Sequence, residues 1–354
     1  MVESIILNSI KPEGYIFNLI GEDFLNFLVD GLGRVFFTKG KLEKMRKIGK
    51  RLPHFPKVKV EESIKVVSSD FEVEERLRNS LSINRPAFAR EEGELLSGFS
   101  GVQPKNRVVA SQKGVKTPAK GELSNALLKY ESYFGITLVE HLLLRVAERM
   151  GFPTPASFVI VDQQLEKSPF LRSISTGLVV ERFDNQEGTI YYDLMGYLKE
   201  KSCPNLKDKY DLTIEELFQK VEKILPEVEV QLLAKYFYFN YLAKNGDLHL
   251  KNIGLMEKNG QLHLSPFYDI VNTAVYGFKT SLGLKLSPTC YKEEFSEREL
   301  GKVLAKYLTP TEREEIKGQF TEEIFTILTQ LNLSSYPNGE KIGEELRKIY
   351  LLQS

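Results

Sequence analysis

Hydrophobic positions in the first half of the chain fall mainly into short runs that are typical of β-strands. β-Branched and apolar runs predict strands at residues 107–110, 126–130, 157–161 and 177–183. Residues 136–150 differ, because their apolar side chains recur at helical spacing, at Leu138, Leu142, Val146 and Met150. Gly151 and Pro153 then predict the end of this helix. The first half is therefore expected to be rich in strands.

The second half of the chain has the patterns of helices. Capping boxes, in which a Ser or Thr precedes a Glu by three positions, predict helix starts at Thr213, Ser296 and Thr309. The first box opens a helix over residues 214–225, and an apolar helix rich in aromatic residues follows over 227–244. Because strands come first and helices after, we expect an α+β protein with two lobes rather than a doubly wound sheet.

Composition excludes several classes of protein. The 354 residues, 42% hydrophobic and 27% charged, are typical of a globular protein large enough for about two domains. We expect neither a spanning helix nor a secretory signal, because no apolar stretch approaches about 18 residues and no basic segment precedes an apolar run at the start. The two cysteines, Cys203 and Cys290, are too few for a disulfide framework or a cysteine zinc site, which favours a reducing, cytoplasmic location. The four histidines argue against a His-rich metal site.

The overall charge balance, 48 Lys and Arg against 48 Asp and Glu, conceals a basic block at residues 34–59. This block has ten Lys or Arg against the single acid Glu43, and an acidic stretch follows over residues 61–78. The two stretches could pair with each other or form solvated surfaces, or the block could dock a nucleic acid or an acidic partner. We expect a folded N-terminal appendage of unknown role over residues 1–85, an N-lobe over 86–184 and a helical C-lobe over 185–354.

The segment that indicates chemistry follows directly after the predicted aromatic helix and reads Lys-Asn-Gly-Asp-Leu-His-Leu-Lys-Asn over residues 244–252. A short strand, an Asn-Gly turn at residues 259–260 and a return strand come next, and Asn-Gly is a strong hairpin signal. A hairpin brings its open ends together, so we expect Asp247, Asn252 and Asp269 to converge on one spot.

Two oxygen ligands beside a third carboxylate suit a Mg²⁺ ion that holds substrate phosphates. Asp247 precedes Asn252 by five residues, which is the spacing of the phosphotransferase loop in which the Asp accepts a hydroxyl proton and the Asn binds metal. A lone pair of this spacing is also expected by chance in a capped turn, but His249, Lys251, the hairpin and Asp269 strengthen the interpretation. Lys251 either neutralises the transferring phosphoryl group or pairs with Asp247.

The first half contains candidates for nucleotide binding. The small, flexible segment from Ser100 to Lys105 could cover phosphates through its backbone amides, with Lys105 adding charge. Lys129 stands alone in an apolar strand, where burial is costly unless a partner such as Glu140 is present; alternatively, it extends from an edge strand into solvent. Residues 181–184, Glu-Arg-Phe-Asp, end a hydrophobic strand where backbone groups could read adenine, or they form an ordinary surface salt-bridge run.

These motifs, in this order and spacing, resemble HipA-like Ser/Thr kinases, which are toxins of bacterial type II toxin–antitoxin systems with a bilobal protein-kinase-like fold. The resemblance spans roughly residues 95–290 and is carried by Ser100, Gly101, Val102, Gln103, Pro104 and Lys105, by Leu127-Leu128-Lys129, Val139-Glu140 and Val180 to Asp184, by Gly246 to Asn252 and by Pro266 to Ile270. It implies ATP and Mg²⁺ as cofactors.

The resemblance also implies residue roles. Asp247 would be the catalytic base, Asn252 and Asp269 the magnesium ligands, and Lys129 the ATP-phosphate lysine. Adenine contacts would come from Glu181, Arg182 and Phe183. We group His249 and Lys251 with the catalytic residues, and Glu140, His249 and Tyr268 with the nucleotide site.

The family phosphorylates aminoacyl-tRNA synthetases and is neutralised by a small DNA-binding HipB-like antitoxin, so contact with DNA would be indirect. Three-gene systems add a HipS-like protein, and their short HipT-like toxins lack an N-terminal subdomain. This chain is intermediate between the two forms, because residues 1–85 show no motif that matches either of them. No membrane partner is implied. Because family members autophosphorylate a serine of the Gly-rich loop, Ser100 is the principal candidate here and Ser97 a weaker one.

Two other functions remain open. The Gly-Asp-Leu-His-x-x-Asn pattern is also similar to antibiotic and sugar kinases, and Asp-x-His-x-x-Asn to phosphoinositide kinases. The Pro-Phe-Tyr-Asp and Gly-Val-Gln-x-Lys segments favour the HipA-like interpretation. The second alternative is a catalytically silent kinase fold that binds partners through its basic block.

Overall fold

A computed structural model of the chain describes residues 27–29, 35–37, 105–111, 114–116, 124–130, 135–161, 176–184, 189–277, 281–289, 294–336 and 338–351. The described residues form two compact units. The first combines residues up to Thr137 with Ala156–Glu187, and the second combines Leu138–Pro155 with Gly188–Ser354. The sequence-based boundaries at residues 85 and 184 stay a prediction.

The first unit is built on an antiparallel sheet. Two short strands, β1 (Phe27–Val29) and β2 (Val35–Phe37), pair with each other separately. The main sheet has the strand order β4-β3-β5-β7-β6. Its members are β3 (Lys105–Ser111), β4 (Gly114–Lys116), β5 (Ala126–Tyr130), β6 (Ser157–Val161) and β7 (Thr176–Glu181).

All four strands expected from apolar runs are therefore present, and β5 and β6 have the predicted bounds. Consecutive residues such as Leu127 and Leu128 are both buried, which explains why β5 reads as a continuous apolar run rather than an alternating one. The register places Lys105 of β3 directly opposite Lys129 of β5.

The second unit is mainly helical. Nearly all of α1 (Ile136–Arg149) belongs to it, as predicted from the helical spacing of its apolar residues. The other helices are α2 (Leu194–Lys201), α3 (Ile214–Val221), α4 (Glu227–Leu242), α5 (Glu297–Val303), α6 (Pro310–Gln330) and α7 (Gly339–Tyr350). A three-stranded antiparallel sheet contains β8 (Thr189–Asp193), β9 (Gly254–Lys258) and β10 (Gln261–Leu264), in the order β10-β9-β8.

Capping boxes define the N-termini of α3, α5 and α6. Thr213, Ser296 and Thr309 each accept a hydrogen bond from the backbone amide three residues on, and the Glu there bonds back to the cap residue. The predicted helix over 214–225 ends earlier, at Val221, and residues 222–225 form turns and a bend before Pro226.

Aromatic residues form the core around α4. The rings of Tyr236 and Phe267 are stacked, with centroids 3.6 Å apart. Phe152 lies beside them, 5.2 Å from the ring of Phe239. Because Phe267 stands two residues before Asp269, this packing also anchors the segment that carries a candidate site residue.

Sequence analysis did not predict β8 or α2. The run Thr-Ile-Tyr-Tyr over residues 189–192 has the β-branched and aromatic composition of a strand, so a signal was present. Asp193 ends the strand and caps α2 by accepting a hydrogen bond from the amide of Gly196. No helix in the described part of the chain is long and apolar enough to cross a membrane.

Candidate active site

Asp247 is positioned by the way α4 ends. Lys244 adopts a left-handed conformation, with φ of 57°, which turns the chain away from the helix axis. Asn245 is fully buried; its amide donates to the side-chain oxygen of Asn240 at 2.7 Å, and its own oxygen accepts from the amide of Asp247 at 3.2 Å. We call residues 244–255 the Asp247 loop. A buried amide pair therefore fixes its first turn.

The β9–β10 hairpin brings the two predicted halves of the site together. Tyr268 donates a hydrogen bond to the carbonyl of Lys251 at 2.8 Å, and its hydroxyl lies 2.6 Å from that of Tyr191 on β8. Asn245 reaches the carbonyl of Asp269 at 3.5 Å. The expected neighbourhood of the Asp247 loop and the segment around Asp269 is thus present in the structure.

The Asp269 backbone is in the left-handed region, with φ of 56°. Asp and Asn tolerate this conformation better than other non-glycine residues, and such strain occurs often at functional sites. The surrounding hydrogen bonds hold it, because Tyr268 is anchored to the Asp247 loop on one side of Asp269 and Asn245 binds its carbonyl.

Two further contacts support the Asp247 loop from outside. The Thr273 hydroxyl accepts a hydrogen bond from the amide of Gly246 at 2.9 Å. Gly283 packs so closely that a Cβ atom there would lie 2.5 Å from the carbonyl oxygen of Leu248. Backbone can approach this closely only where no side chain intervenes.

The Asp247 carboxylate is the reactive candidate, since its side chain is 49% exposed. It accepts a hydrogen bond from the Tyr210 hydroxyl at 2.6 Å. Partial removal from water raises the pKa of Asp247, and the charge of Lys209 and the Tyr210 hydrogen bond oppose that rise. A carboxylate with a raised pKa and an open face is suited to accept a proton.

His249 is buried beside this carboxylate and is neutral. Its Nε2 lies 2.7 Å from the Nζ of Lys209, and an ammonium group can only donate, so Nε2 is the acceptor. Burial, together with the charge of Lys209, holds the pKa of His249 well below its usual value. The 4.0 Å separation between His249 Nε2 and the Asp247 carboxylate is therefore not an ion pair.

Asn252 and Asp269 are the predicted ligands of a magnesium ion. Asn252 donates its side-chain amide to the Asp247 carbonyl at 3.5 Å, which leaves its side-chain oxygen as the atom that can face a cation. One amide oxygen and one carboxylate fit Mg²⁺, which usually takes one or two protein carboxylates and completes its shell with water and phosphate. No cluster of three or more His, Cys, Asp or Glu residues suited to a metal occurs in the described ranges.

The predicted phosphate lysine, Lys129, lies on β5 in the first unit and is 4% exposed. It does not extend from an edge strand, because β5 pairs with β3 on one side and β7 on the other. Glu140 on α1 is also buried. The ion pair between Lys129 and Glu140 stays a prediction.

Residues 181–184 do not form a surface salt-bridge run. The Arg182 guanidinium is buried and forms a two-point ion pair with Asp184, at 2.6 and 2.9 Å, and it also donates to the Ser124 hydroxyl at 2.5 Å. The amide of Glu181 donates to the carbonyl of Ala156 at 2.8 Å. Contacts to adenine from this strand end stay a prediction.

Several predicted residues lie outside the described part of the chain. They are the serines Ser97 and Ser100, the segment from Gly101 to Pro104, and the basic block apart from the backbone of β2. Lys105 is described through its backbone as the first residue of β3.

Sequence reasoning missed Lys209 and Tyr210, which contact His249 and Asp247 from the segment between α2 and α3. Their segment has no periodicity or motif that would place it on the Asp247 loop. Asn245 had a usable signal, because a buried helix that ends in Lys-Asn-Gly needs polar groups to close its last turn.

The strand-rich first unit, the helical second unit and the Asp247 loop define an α+β protein-kinase-like fold. The model of the HipA-like C-terminal domain matches residues 97–328, which is more than half of the chain. The chain belongs to the HipA-like family. No curated protein gave a significant match.

A solved structure supports this fold. The chain is similar to HipA of Shewanella oneidensis MR-1, which was solved in a complex with HipB and its operator DNA. The TM-score is 0.54 at 17% identity, with 99% of this chain and 84% of that chain covered. A second similar structure is the proinflammatory kinase CtkA of Helicobacter pylori, with a TM-score of 0.48, 13% identity, and 72% of this chain and 89% of that chain covered.

Proposed function

We propose that this protein is an ATP- and Mg²⁺-dependent serine/threonine kinase that acts as the toxin of a bacterial toxin–antitoxin system. The observation that carries the proposal is the Asp247 carboxylate. It is half exposed, it already accepts a hydrogen bond from a hydroxyl group, and the segments that carry Asn252 and Asp269 are hydrogen-bonded around it.

In this proposal Asp247 orients the substrate hydroxyl and accepts its proton during phosphoryl transfer. Asn252 and Asp269 hold the magnesium ion, which when bound neutralises phosphate charge. Lys251, buried in the same loop, adds positive charge beside the transferring group. Lys129 and Lys105 bind the ATP phosphates in this proposal, and the backbone register places the two residues opposite each other on β5 and β3.

Substitution Asp247→Asn tests the proposal. We expect ADP formation and phosphate transfer to protein to fall by about 10²–10⁴-fold, since the amide cannot accept the proton. Glu345→Gln, a carboxylate of an exposed ion pair on α7, is the matched control and should retain wild-type turnover. Wild-type activity in the Asp247→Asn protein would refute the role of Asp247.

Asp269→Ala separates metal binding from proton transfer. This variant should lose magnesium-dependent nucleotide affinity as well as turnover, whereas Asp247→Asn should keep that affinity. Titration of a fluorescent ATP analogue with and without Mg²⁺ measures the difference. Equal magnesium dependence in wild type and Asp269→Ala would contradict Asp269 as a ligand.

The proposal extends to substrate and partners through the family. We infer that the kinase phosphorylates an aminoacyl-tRNA synthetase or another translation protein in the cytoplasm and is neutralised by a HipB-like antitoxin, with a HipS-like protein as a further candidate. Expression in a bacterial host should arrest growth in wild type and not in Asp247→Asn. Phosphopeptide mapping of the arrested cells identifies the substrate and also tests Ser100, with Ser97 second, as the autophosphorylation site.

A further inference from the structure

We propose that Tyr210 is an intramolecular phosphoryl acceptor, a tyrosine modification site served by the protein's own Asp247. The proposal rests on the kinase function given above and adds a target within the chain. It begins with the hydroxyl of Tyr210, which donates to the Asp247 carboxylate at 2.6 Å. In a kinase, that carboxylate binds the hydroxyl that receives the phosphoryl group.

The contact is part of a docked segment rather than an isolated hydrogen bond. We call residues 207–211 the 207–211 turn. Besides the Tyr210 hydroxyl, the Lys209 side chain donates to His249 at 2.7 Å, and the Lys209 carbonyl accepts from the amide of Leu250 at 3.2 Å. Three hydrogen bonds therefore join the turn to the Asp247 loop, and each ends on a different residue of that loop.

The turn is also folded internally. The Asp211 carboxylate accepts from the amides of Lys207 and Asp208 at 2.6 and 2.8 Å, and the Asp208 side chain accepts from the amide of Tyr210 at 3.0 Å. Such local side-chain to backbone bonds fix a turn without the help of secondary structure. The hydroxyl of Tyr210 is thus presented to Asp247 by a preformed structure, which reduces the entropy cost of reaching the reactive geometry.

Exposure and position together distinguish Tyr210 from other tyrosines that bond to carboxylates. Tyr210 is 39% exposed, so a nucleotide can approach its oxygen. Tyr238 forms an equally short hydrogen bond, 2.6 Å, to Glu297, but it is fully buried. Tyr307 is partly exposed and donates to Glu222 at 2.8 Å, outside the Asp247 loop, and serves as the internal control.

The step balances with ATP as co-reactant. The Tyr210 oxygen forms a bond to the γ-phosphorus, the bond from that phosphorus to the bridging oxygen of ADP breaks, and the phenolic proton passes to Asp247. Phosphotyrosine and ADP are the products, and Asp247 later releases its proton to water. The esterified oxygen has no proton to donate, and the phosphoryl group bonded to it places negative charge next to Asp247, so the product releases the turn from the Asp247 loop.

Incubation of the full-length protein with Mg²⁺ and ATP, followed by peptide mapping and quantification of ADP, tests the inference. We expect phosphate on Tyr210, none on Tyr307, and at least a hundredfold less on Tyr210 in Asp247→Asn. The labelled fraction at a given time should stay constant over a tenfold range of protein concentration, because the reaction is intramolecular.

The remaining outcomes distinguish the inference from the function on which it rests. Nucleotide turnover, or phosphate on other residues, without phosphate on Tyr210 overturns the inference and leaves the kinase function standing. No ADP and no phosphate anywhere overturns both. A mixture of wild type with isotope-labelled Asp247→Asn gives the last test, since phosphate on Tyr210 of the labelled chain would overturn the intramolecular step.

Discussion

Two acidic side chains of this protein show how the same functional group serves stability in one place and reactivity in another. The side chain of Asp184, at the end of the main sheet, is 2% exposed and is held by the two-point ion pair with Arg182. The Asp247 side chain, in the second unit, is 49% exposed and accepts a hydrogen bond from the neutral hydroxyl of Tyr210. A carboxylate enclosed by its counter-ion stabilises the fold, whereas one with an open face and a raised pKa is able to accept a proton.

We expect the largest change in stability when the ion pair between Arg182 and Asp184 is broken. Arg182→Met keeps the side-chain volume and removes the charge, which leaves the Asp184 carboxylate buried without its partner. We expect the free energy of unfolding to fall by about 3–5 kcal/mol. Urea denaturation of the full chain, followed by circular dichroism, measures the loss.

Two further variants sharpen that test. Arg182→Met combined with Asp184→Leu should be more stable than Arg182→Met alone, because neither partner is then left charged and buried. Asp247→Asn should change the free energy of unfolding by less than about 0.5 kcal/mol, as is usual for exposed positions. A double variant that is less stable than the single one would contradict the buried pair.

A smaller effect is expected where a backbone contact holds the reactive loop. Gly283→Ala would place a Cβ atom 2.5 Å from the Leu248 carbonyl oxygen, so the Asp247 loop must shift. We expect a loss of about 1–3 kcal/mol in the free energy of unfolding, which is typical of overpacking. Turnover should fall by up to about a hundredfold, because displacement of a reacting group by about 1 Å has that cost.

Gly318→Ala on α6 is the matched control. A Cβ atom at Gly318 meets no atom within 4 Å, and Ala is a better helix former than Gly by about 1 kcal/mol. This substitution should raise the midpoint of unfolding and leave turnover unchanged. If both glycine variants behaved alike, close approach at Gly283 would not support the Asp247 loop.

We expect the smallest change in stability from Glu222, whose contacts with Lys306 and Tyr307 lie near the protein surface. Glu222 bonds to Lys306 and Tyr307, and these bonds lower the pKa of Glu222 below its usual value. A lowered folded-state pKa gives a stabilising contribution above the unfolded-state pKa, and the contribution is lost as the pH falls through the folded-state pKa. Wild type should therefore be slightly more stable than Glu222→Gln at pH 7. The difference in unfolding midpoints should shrink steadily as the pH is lowered below the ordinary pKa of a glutamate, about 4.3. A difference that did not shrink with falling pH would contradict the role of the charge.

Local signals predicted the parts of the fold that depend on neighbours in sequence. The capping boxes at Thr213, Ser296 and Thr309 are present because cap and partner are only three residues apart. The Asn-Gly turn also allowed a contact between more distant segments to be predicted. It pairs β9 with β10 and so brings the segment around Asp269 back to the Asp247 loop. The strand β8 was missed despite its composition.

The residues that contact the Asp247 loop from elsewhere in the chain could not be predicted from local sequence patterns. Tyr210 is 37 residues from Asp247 in sequence, and Lys209 is 40 residues from His249. Neither residue belongs to a periodic element, so no spacing rule relates them to the Asp247 loop. The same holds for Gly283, whose closeness to Leu248 is visible only when both backbones are in place.

The sequence by itself determined the order of strands and helices, the helix caps and the candidate residues Asp247, Asn252 and Asp269, because these depend on local patterns and a tight turn. The tertiary structure decided which carboxylate is enclosed and which is open. It paired Arg182 with Asp184 and placed the Tyr210 hydroxyl on Asp247. Exposure and long-range contacts are properties of the packed chain, so they could be known only once the chain was folded.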